Sequence, residues 1–378
     1  MYNVQFTMKT EWAHKKLIDL ADYYNGMAFK PSDWVESGTK IIRIEQLNNP
    51  LGNYDYYQGS YPEINAIHNE DLIFSWSATL KVAIWKWGEG VLNQHLFKVV
   101  PFENVDKYFL YYLLDYNMPK LGESSHGSTM KHIKRKELET YSVKIPTTLS
   151  VQRRIAVILS SADKVIDSTR RLIEKYKKMK QGMMKELLNE QCTMNNVQWR
   201  KVRLGEVGDF YVGGDVDRSC FSPYPTVECR FPIYANALVN EGLYGYSSKY
   251  EFDKEAVTIT GRGDVGKVFY RKPYFTTIIR LVTLIPTDSN IDVKFLSYAM
   301  SKINFIIEST GVPQLTAPQA KKYEVSVPYK NGKPDLTEQR RIASILSGID
   351  AKIAAEEKVL EKYTLVKKGL MEKLLNNN

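Results

Sequence analysis

The sequence predicts an α+β protein: two similar α/β domains separated by two long helices that pack as an antiparallel coiled coil, in an internal pseudo-two-fold repeat. Three observations carry this. A stretch from Gln152-Arg153-Arg154-Ile155-Ala156 to Leu187-Leu188-Asn189 recurs without a gap as Gln339-Arg340-Arg341-Ile342-Ala343 to Leu374-Leu375-Asn376. Such self-similarity marks an internal repeat. Within each copy the apolar residues step by three and four, the period of an amphipathic helix. Finally, Trp12, Leu17 and Asp22 precede Trp199, Leu204 and Asp209 by the same interval, so the repeat includes what stands before each helix. The resulting boundaries are a first domain over 1–148, a central helix over 149–192, a second domain over 193–335 and a C-terminal helix over 336–378.

In the central helix Ile155, Ile158, Ala162, Val165, Thr169, Leu172, Tyr176 and Met179 form the expected seam, with Leu159, Ile166 and Ile173 beside it. In the C-terminal helix the seam is Ile342, Ile345, Ile349, Val359, Tyr363 and Val366. Leu346, Ile353 and Leu360 flank it, and Lys352 and Glu356 interrupt it. Ser150 and Thr337 stand where N-caps are expected. Each helix would be about 55 Å long at 1.5 Å per residue. Stripes this wide need a partner, and two similar ones most simply cover each other. The intervening domain lets the chain return antiparallel. Tyr176, Gly182, Tyr363 and Gly369 recur in step, which suits coil packing or one shared docking surface.

The first domain reads as short strands at 41–44, 71–75 and 81–87, a buried helix at 109–114 and a closing strand at 143–146, with the aromatic run 54–57 as a loop. The second reads as strands at 231–234, 256–260, 267–270 and 278–284, a helix over 294–307 and a closing strand at 325–328. Gly261-Arg262-Gly263-Asp264-Val265-Gly266 forms a turn between two of these strands. Gly311 to Thr316 is expected to fill the place that Gly127 to His132 fills in the first half.

The chain has 378 residues and a net charge of +9, unevenly spread: −1 over residues 1–150, +5 over 151–191, +3 over 192–337 and +2 over 338–378. The basic central helix points to a nearby polyanion, or simply to a solvated lysine-rich face. The cysteines are Cys192, Cys220 and Cys229, without a C-x-x-C pair, and no histidine follows His132. This argues against a Cys/His metal site and fits a reduced, cytoplasmic setting. The apolar runs are too short to span a membrane, and the N-terminal stretch lacks the apolar core of a signal peptide.

With domain, Q-R-R-I-A helix, domain and Q-R-R-I-A helix in order, the chain resembles the specificity subunits of type I restriction-modification systems. The Trp-x-x-x-x-Leu openings at Trp12 and Trp199 and Gly127-Ser128-Thr129 before the first long helix belong to the same likeness. The resemblance implies that the two domains are target recognition domains, each reading half of a split double-stranded DNA site, with the coiled coil setting the gap. It implies docking of two methylation subunits and up to two restriction (motor-nuclease) subunits. S-adenosylmethionine, ATP and Mg would be bound by those partners and not by this chain. Ile155, Ile158, Leu159, Leu172, Tyr176, Met179, Ile342, Ile345, Leu346, Val359, Tyr363 and Val366 are the candidates for the coil and partner interface.

Base readout requires forked or amide side chains at a groove. Arg262 is the leading candidate, because neighbouring glycines let its backbone approach a phosphate or base edge. The competing reading is a hairpin turn with a solvated arginine. Ser128, Thr129, Lys131, His132 and Lys134 would contact phosphates. Asn93, Gln94 and His95 are candidates for base edges, or a polar turn. Ser75, Ser77, Lys81 and Lys86 would line the same groove. Lys267, Arg280, Gln314 and Thr316 complete the set, while Trp85 and Trp87 read as packing. No catalytic residues are found: Asn48-Asn49-Pro50-Leu51 lacks the second proline and aromatic of an adenine methyltransferase loop, and there is no P-loop lysine motif. A stand-alone DNA methyltransferase is therefore disfavoured. The alternative from another class is a non-catalytic coiled-coil scaffold joining two protein-binding domains.

Overall fold

The computed structural model describes residues 11–123, 133, 135–190, 197–306 and 314–376. It divides into two units, one formed by residues 1–170 with 358–378 and the other by residues 171–357. The two long helices, Leu149–Leu187 and Leu336–Leu375, each contribute to both units.

The first unit holds an antiparallel four-stranded sheet in the order Ala21–Asn25, Leu96–Pro101, Leu72–Ser75, Lys81–Ile84. The second holds the same sheet in the order Gly208–Val212, Val282–Pro286, Ala256–Ile259, Val268–Arg271. In each, the opening strand of the domain pairs antiparallel with the closing one: Trp12–Lys16 with Ser142–Pro146, and Gln198–Arg203 with Glu324–Lys330. A smaller sheet in each is built around a parallel pair, Thr39–Ile42 with Gly90–Leu92 and Phe231–Tyr234 with Thr276–Thr277. The units diverge at the flanks of these smaller sheets.

One helix covers each main sheet, Lys107–Glu123 in the first unit and Val293–Met300 in the second. Phe109, Leu110, Leu113 and Leu114 pack with Leu72, Phe74 and Val99, with Ile155, Ala156 and Leu159 of the first long helix, and with Met371 and Leu375 of the second. The second core repeats the plan: Phe295, Leu296 and Met300 meet Val257, Ile259 and Leu284 along with Leu188, Ile342, Ala343 and Leu346. Each large apolar side chain buried this way contributes about 1.5–3 kcal/mol.

Buried glutamines join helix to domain. Gln152 and Gln339 are 1% and 0% exposed. Gln152 Oε1 accepts from Asp106 N at 2.8 Å, and its Nε2 donates to the carbonyls of Pro146 at 2.9 Å and Asn104 at 3.2 Å. Gln339 Oε1 accepts from Asp292 N at 2.9 Å, and its Nε2 donates to Asn290 O at 3.0 Å. Asp106 and Asp292 in turn accept from Phe109 N and Phe295 N, capping the sheet-covering helices.

A second duplicated contact holds the helix pairs. Tyr112 OH donates to Asp163 at 2.7 Å, and Lys367 approaches Asp163 at 2.7 Å. In the other unit Tyr298 OH donates to Asp350 at 2.6 Å, and Lys180 approaches Asp350 at 2.6 Å. Each lysine ammonium also lies over the tyrosine ring of its own group, at 5.5 and 5.2 Å. Within each unit the contacts advance along one helix as they retreat along the other, so the pairing is antiparallel.

Several expectations change. The buried row of the first long helix is Leu159, Ile166, Thr169 and Ile173, whereas Val165 and Met179 are exposed and Ile158 and Leu172 only half-buried. In the second, Ile342, Leu346 and Ile349 are buried and Ile345, Ile353 and Leu360 half-buried, while Val359, Tyr363 and Val366 face outward. Half of the expected seam holds, at Ile155, Thr169, Ile342 and Ile349, while the alternate positions shift by one residue to Leu159, Ile166, Ile173 and Leu346, because each helix must cover its domain as well as its partner helix. Lys352 consequently stands outside it. Asp335 caps the second long helix, its carboxylate accepting from Thr337 N and Glu338 N at 3.1 Å, so Thr337 and likewise Ser150 lie inside the first turn. The strand expected at 278–284 begins only at Val282, because Ile279 and Arg280 adopt left-handed φ of 54° and 61°. The helix expected over 294–307 ends at Met300. Tyr56–Tyr57, expected as loop, adds a short strand to Thr39–Ile42.

Gln152→Ala or Gln339→Ala leaves a buried amide and carbonyls without partners, and each should destabilise its unit by about 3 kcal/mol in urea unfolding. Burial, and then the hydrogen bond to Asp163 or Asp350, raises the pKa of Tyr112 and Tyr298 above the ordinary phenol value. A group whose folded pKa is raised stabilises fully below its unfolded value, about 10 for tyrosine, and loses that contribution as pH rises past it. Unfolding temperature should therefore fall above about pH 10, and a Tyr112→Phe/Tyr298→Phe double variant should show a shallower alkaline decline.

Candidate nucleic-acid interface

At one end of each main sheet a hairpin turn, a turn leading into the neighbouring strand and the segment after the sheet-covering helix come together. In the first unit these are 75–81, 93–95 and Ile133, whose N donates to Trp76 O at 2.8 Å. In the second they are 260–267, 278–281 and 314–316, with Leu315 N donating to Gly261 O at 2.8 Å. The turns into the strands match as well. Gln94 N donates to Met27 O and Ile279 N to Gly214 O, both at 2.7 Å, which makes His95 and Arg280 equivalent. By the same matching Ser77 corresponds to Arg262, and Leu315 to Ile133. Gln314 is thus the counterpart of His132 in sequence, two residues out of step with the expected correspondence. The backbone contact sets this register.

The hairpin turns are closed from inside by a hydroxyl. Ser75 Oγ donates to Thr79 O at 2.8 Å and Ser77 O at 3.2 Å, and both serines are buried. Thr260 Oγ1 donates to Asp264 O and accepts from Lys267 N at 2.9 Å. A Cβ on Gly261 would lie 2.8 Å from Leu315 O and 3.2 Å from Arg280 O, so only glycine allows these segments to approach.

The rims differ in chemistry. In the first, His95 is half-buried with its ring 5.6 Å from that of Trp76. Asn93 is 7% exposed and accepts from His95 N at 3.3 Å, so its amide braces the turn, while Gln94 is exposed. Lys81 Nζ donates to Leu47 O at 2.5 Å and to Asn48 Oδ1 at 3.3 Å, tying the rim to the short helix Ile44–Asn48. Lys86 is exposed beyond the other end of strand Lys81–Ile84 and does not join the rim. Trp85 is fully buried, with its indole N–H donated to Gly88 O at 2.7 Å. Ser128, Thr129, Lys131, His132 and Lys134 lie outside the described residues.

In the second rim, Arg262, Arg280, Gln314 and Thr316 line one cleft of about 330 Å³ together with Val212 and Val282. Arg262 donates from Nε and Nη2 to Gln314 Oε1 at 3.2 and 3.0 Å. Thr316 caps the following turn of helix, Ala317–Ala320, through Gln319 N. Lys267 is exposed at the start of the next strand.

Sequence reading singled out neither Asn236, which supports this rim, nor Arg271, which lies at the far end of strand Val268–Arg271 from it. Asn236 accepts from Gly261 N at 2.7 Å and donates to Ile279 O, bridging both arginine-bearing turns. Arg271, 1% exposed, donates to Thr258 Oγ1 at 2.9 Å and Glu241 O at 2.6 Å and lies 3.7 Å over the Tyr234 ring. Burial lowers its pKa from the usual guanidinium value. Neither sits in a motif, and their partners are distant in sequence. Among the described residues there is no group of three or more His, Cys, Asp or Glu side chains able to hold a metal, and no helix long and apolar enough to cross a membrane.

Two α/β domains of one design, each seated on an antiparallel helix pair and each carrying a rim of polar turns, define a duplicated two-domain module. The family model for the type I restriction modification DNA specificity domain matches residues 9–178 and again residues 196–364, and the chain belongs to that family. It is 28% identical over 185 residues to S.MpnORF89P of Mycoplasma pneumoniae, named as a type I specificity subunit, a match covering 45% of this chain and 53% of that one. The chain therefore aligns with about half the length of that relative. It is 24% identical over 401 residues to the type I restriction enzyme MjaVIII specificity subunit of Methanocaldococcus jannaschii, covering 97% and 92%. The fold is shared with the crystal structure of a type I restriction-modification S subunit from M. genitalium, at a TM-score of 0.70, 18% identity and 98% coverage of both chains.

Proposed function

We propose that this chain chooses DNA sites for a type I restriction-modification assembly. Each domain reads one half of a split duplex site with its rim of turns. The paired helices set the gap between the halves and carry two methylation subunits and up to two restriction subunits. The chain itself performs no catalysis. S-adenosylmethionine, ATP and Mg act in the partner subunits, and the assembly works in the cytoplasm. The observation that carries this reading is the duplicated rim: one backbone scaffold, held by matching hydrogen bonds, presents the half-buried His95 in one domain and the exposed Arg280 at the matching place in the other, with Arg262 exposed where the first domain has the buried Ser77. A common scaffold with different reading groups suits an asymmetric bipartite target, because side chains at base edges carry specificity.

Partner docking has support on the helices. Val157, Leu365, Val366, Met179 and Val165 are 63%, 63%, 44%, 40% and 39% exposed, although each stands on a helix already packed on its other face. Exposed apolar side chains grouped along an element mark contact surfaces.

Long-read sequencing of a methylation-deficient host expressing this chain with a methylation subunit should show N6-methyladenine in a split motif. Exchanging residues 197–335 should change one half of it. Absence of any motif that depends on this chain would point instead to a protein-binding scaffold. Val366→Glu should reduce co-purification of the methylation subunit at least about tenfold, the scale of 1.4 kcal/mol at an interface, with the unfolding temperature unchanged.

A further inference from the structure

We propose that the second domain reads guanine through a head that presents only hydrogen-bond donors, made of Arg262, Gln314 and Arg280, and that Asn236 is its positioning residue. This rests on the reading of the chain as a DNA site selector and names what one rim recognises.

A glutamine free in the major groove pairs with adenine, accepting through its carbonyl and donating through its amide nitrogen. Gln314 cannot do this as it stands. Its Oε1 already accepts two bonds from Arg262, from Nε at 3.2 Å and Nη2 at 3.0 Å, and a carbonyl oxygen has two lone pairs. What remains free on these three side chains is Gln314 Nε2, Arg262 Nη1 and the guanidinium of Arg280, all donors, while the Thr316 hydroxyl, also on the cleft, is engaged with Gln319, donating to its Oε1 at 2.9 Å and accepting from its N. No carboxylate lines the cleft among the described residues. A base edge facing this head must accept at adjacent atoms. Guanine does so with O6 and N7, while adenine, cytosine and thymine offer a donor or only one acceptor there. Phosphate oxygens share this acceptor chemistry, and the experiment below separates the two.

The geometry is held from behind. Ile279 and Arg280 both have left-handed backbones, and a β-branched residue there is an outlier that the surroundings must enforce. Ile279 N and Arg280 N donate to the carbonyls of Gly214 and Gly213 at 2.7 and 3.0 Å. The Asn236 amide donates to Ile279 O and accepts from Gly261 N at 2.7 Å. One side chain thus fixes the residue before Arg280 to the residue before Arg262.

The test uses the full chain with its methylation subunit and reads every methylated site. The half of the motif that follows residues 197–335 should contain a G·C pair. Arg262→Lys keeps a charge for a phosphate but loses the fork, so it should relax a G·C position about ten- to a hundredfold, the range for one bidentate pair. Arg280→Lys should relax the same or the adjacent position. Asn236→Ala should relax those positions together and leave the other half of the motif unchanged, a pattern that general destabilisation does not produce. A half-motif without guanine overturns the inference. So does uniform loss of methylation in the lysine variants with no base relaxed, the mark of a phosphate or merely structural role. If the wild-type motif does not follow residues 197–335 at all, the site-selector reading itself fails. If it does and the three variants keep every base, only the guanine head fails.

Discussion

A buried glutamine at the start of each long helix is the constraint on which the rest of the structure depends. A carboxamide both donates and accepts, so Gln152 can satisfy Asp106 N and two carbonyls, and Gln339 can satisfy Asp292 N and Asn290 O, in space closed to water. A buried polar group left unpaired is strongly unfavourable, which makes the rotational setting of each helix against its domain close to unique. Asp163 and Asp350 follow eleven residues later, about three helical turns, and so fall on the same face. There each accepts from the tyrosine of the sheet-covering helix and meets a lysine of the opposite long helix. Domain, helix and partner helix are thereby set by one short series of polar contacts, with apolar burial supplying most of the stability.

The rims show how a duplicated scaffold comes to hold different chemistry. The bonds that shape them are nearly all backbone bonds or bonds from groups that point inward: Ile133 to Trp76, Leu315 to Gly261, and the hydroxyls of Ser75 and Thr260. Outward-facing positions carry none of that burden. Half-buried His95 can stand where the other rim has Arg280 without cost to the fold, whereas Ser77, at the place of the exposed Arg262, is buried. The second rim needs extra bracing because Ile279 and Arg280 are held in left-handed backbones, and Asn236 supplies it.

The repeat, the two helices, the antiparallel return and most strands were legible in the sequence, because periodicity and self-similarity are local signals that survive without contacts. Every second position of the expected seam stands one residue from the buried row, while Ile155, Thr169, Ile342 and Ile349 are buried as expected. Val165, Met179, Val359 and Val366 continue the apolar rhythm but face outward, since a helix shared between two partners has more than one apolar face and rhythm alone does not rank them. The strand read over 278–284 failed at Ile279 and Arg280, where composition favours a strand and tertiary bonds impose a turn. Of the site candidates, Arg262, Arg280, Gln314 and Thr316 converge on one cleft, Ser75 and Asn93 turn inward, and Lys86 stands apart.

The sequence by itself determined the duplicated architecture, the membership signalled by the Q-R-R-I-A helices, and which residue types the rims could carry. Hydrophobic period and repeated motif are properties of the chain alone. Only the tertiary structure decided that Gln314 spends its oxygen on Arg262, that Asn236 joins two turns 25 and 43 residues away, and that Gln152 and Gln339 are pins and not surface groups. Those outcomes depend on which donors and acceptors meet once water is excluded, and that pairing exists only when segments distant along the chain have come together.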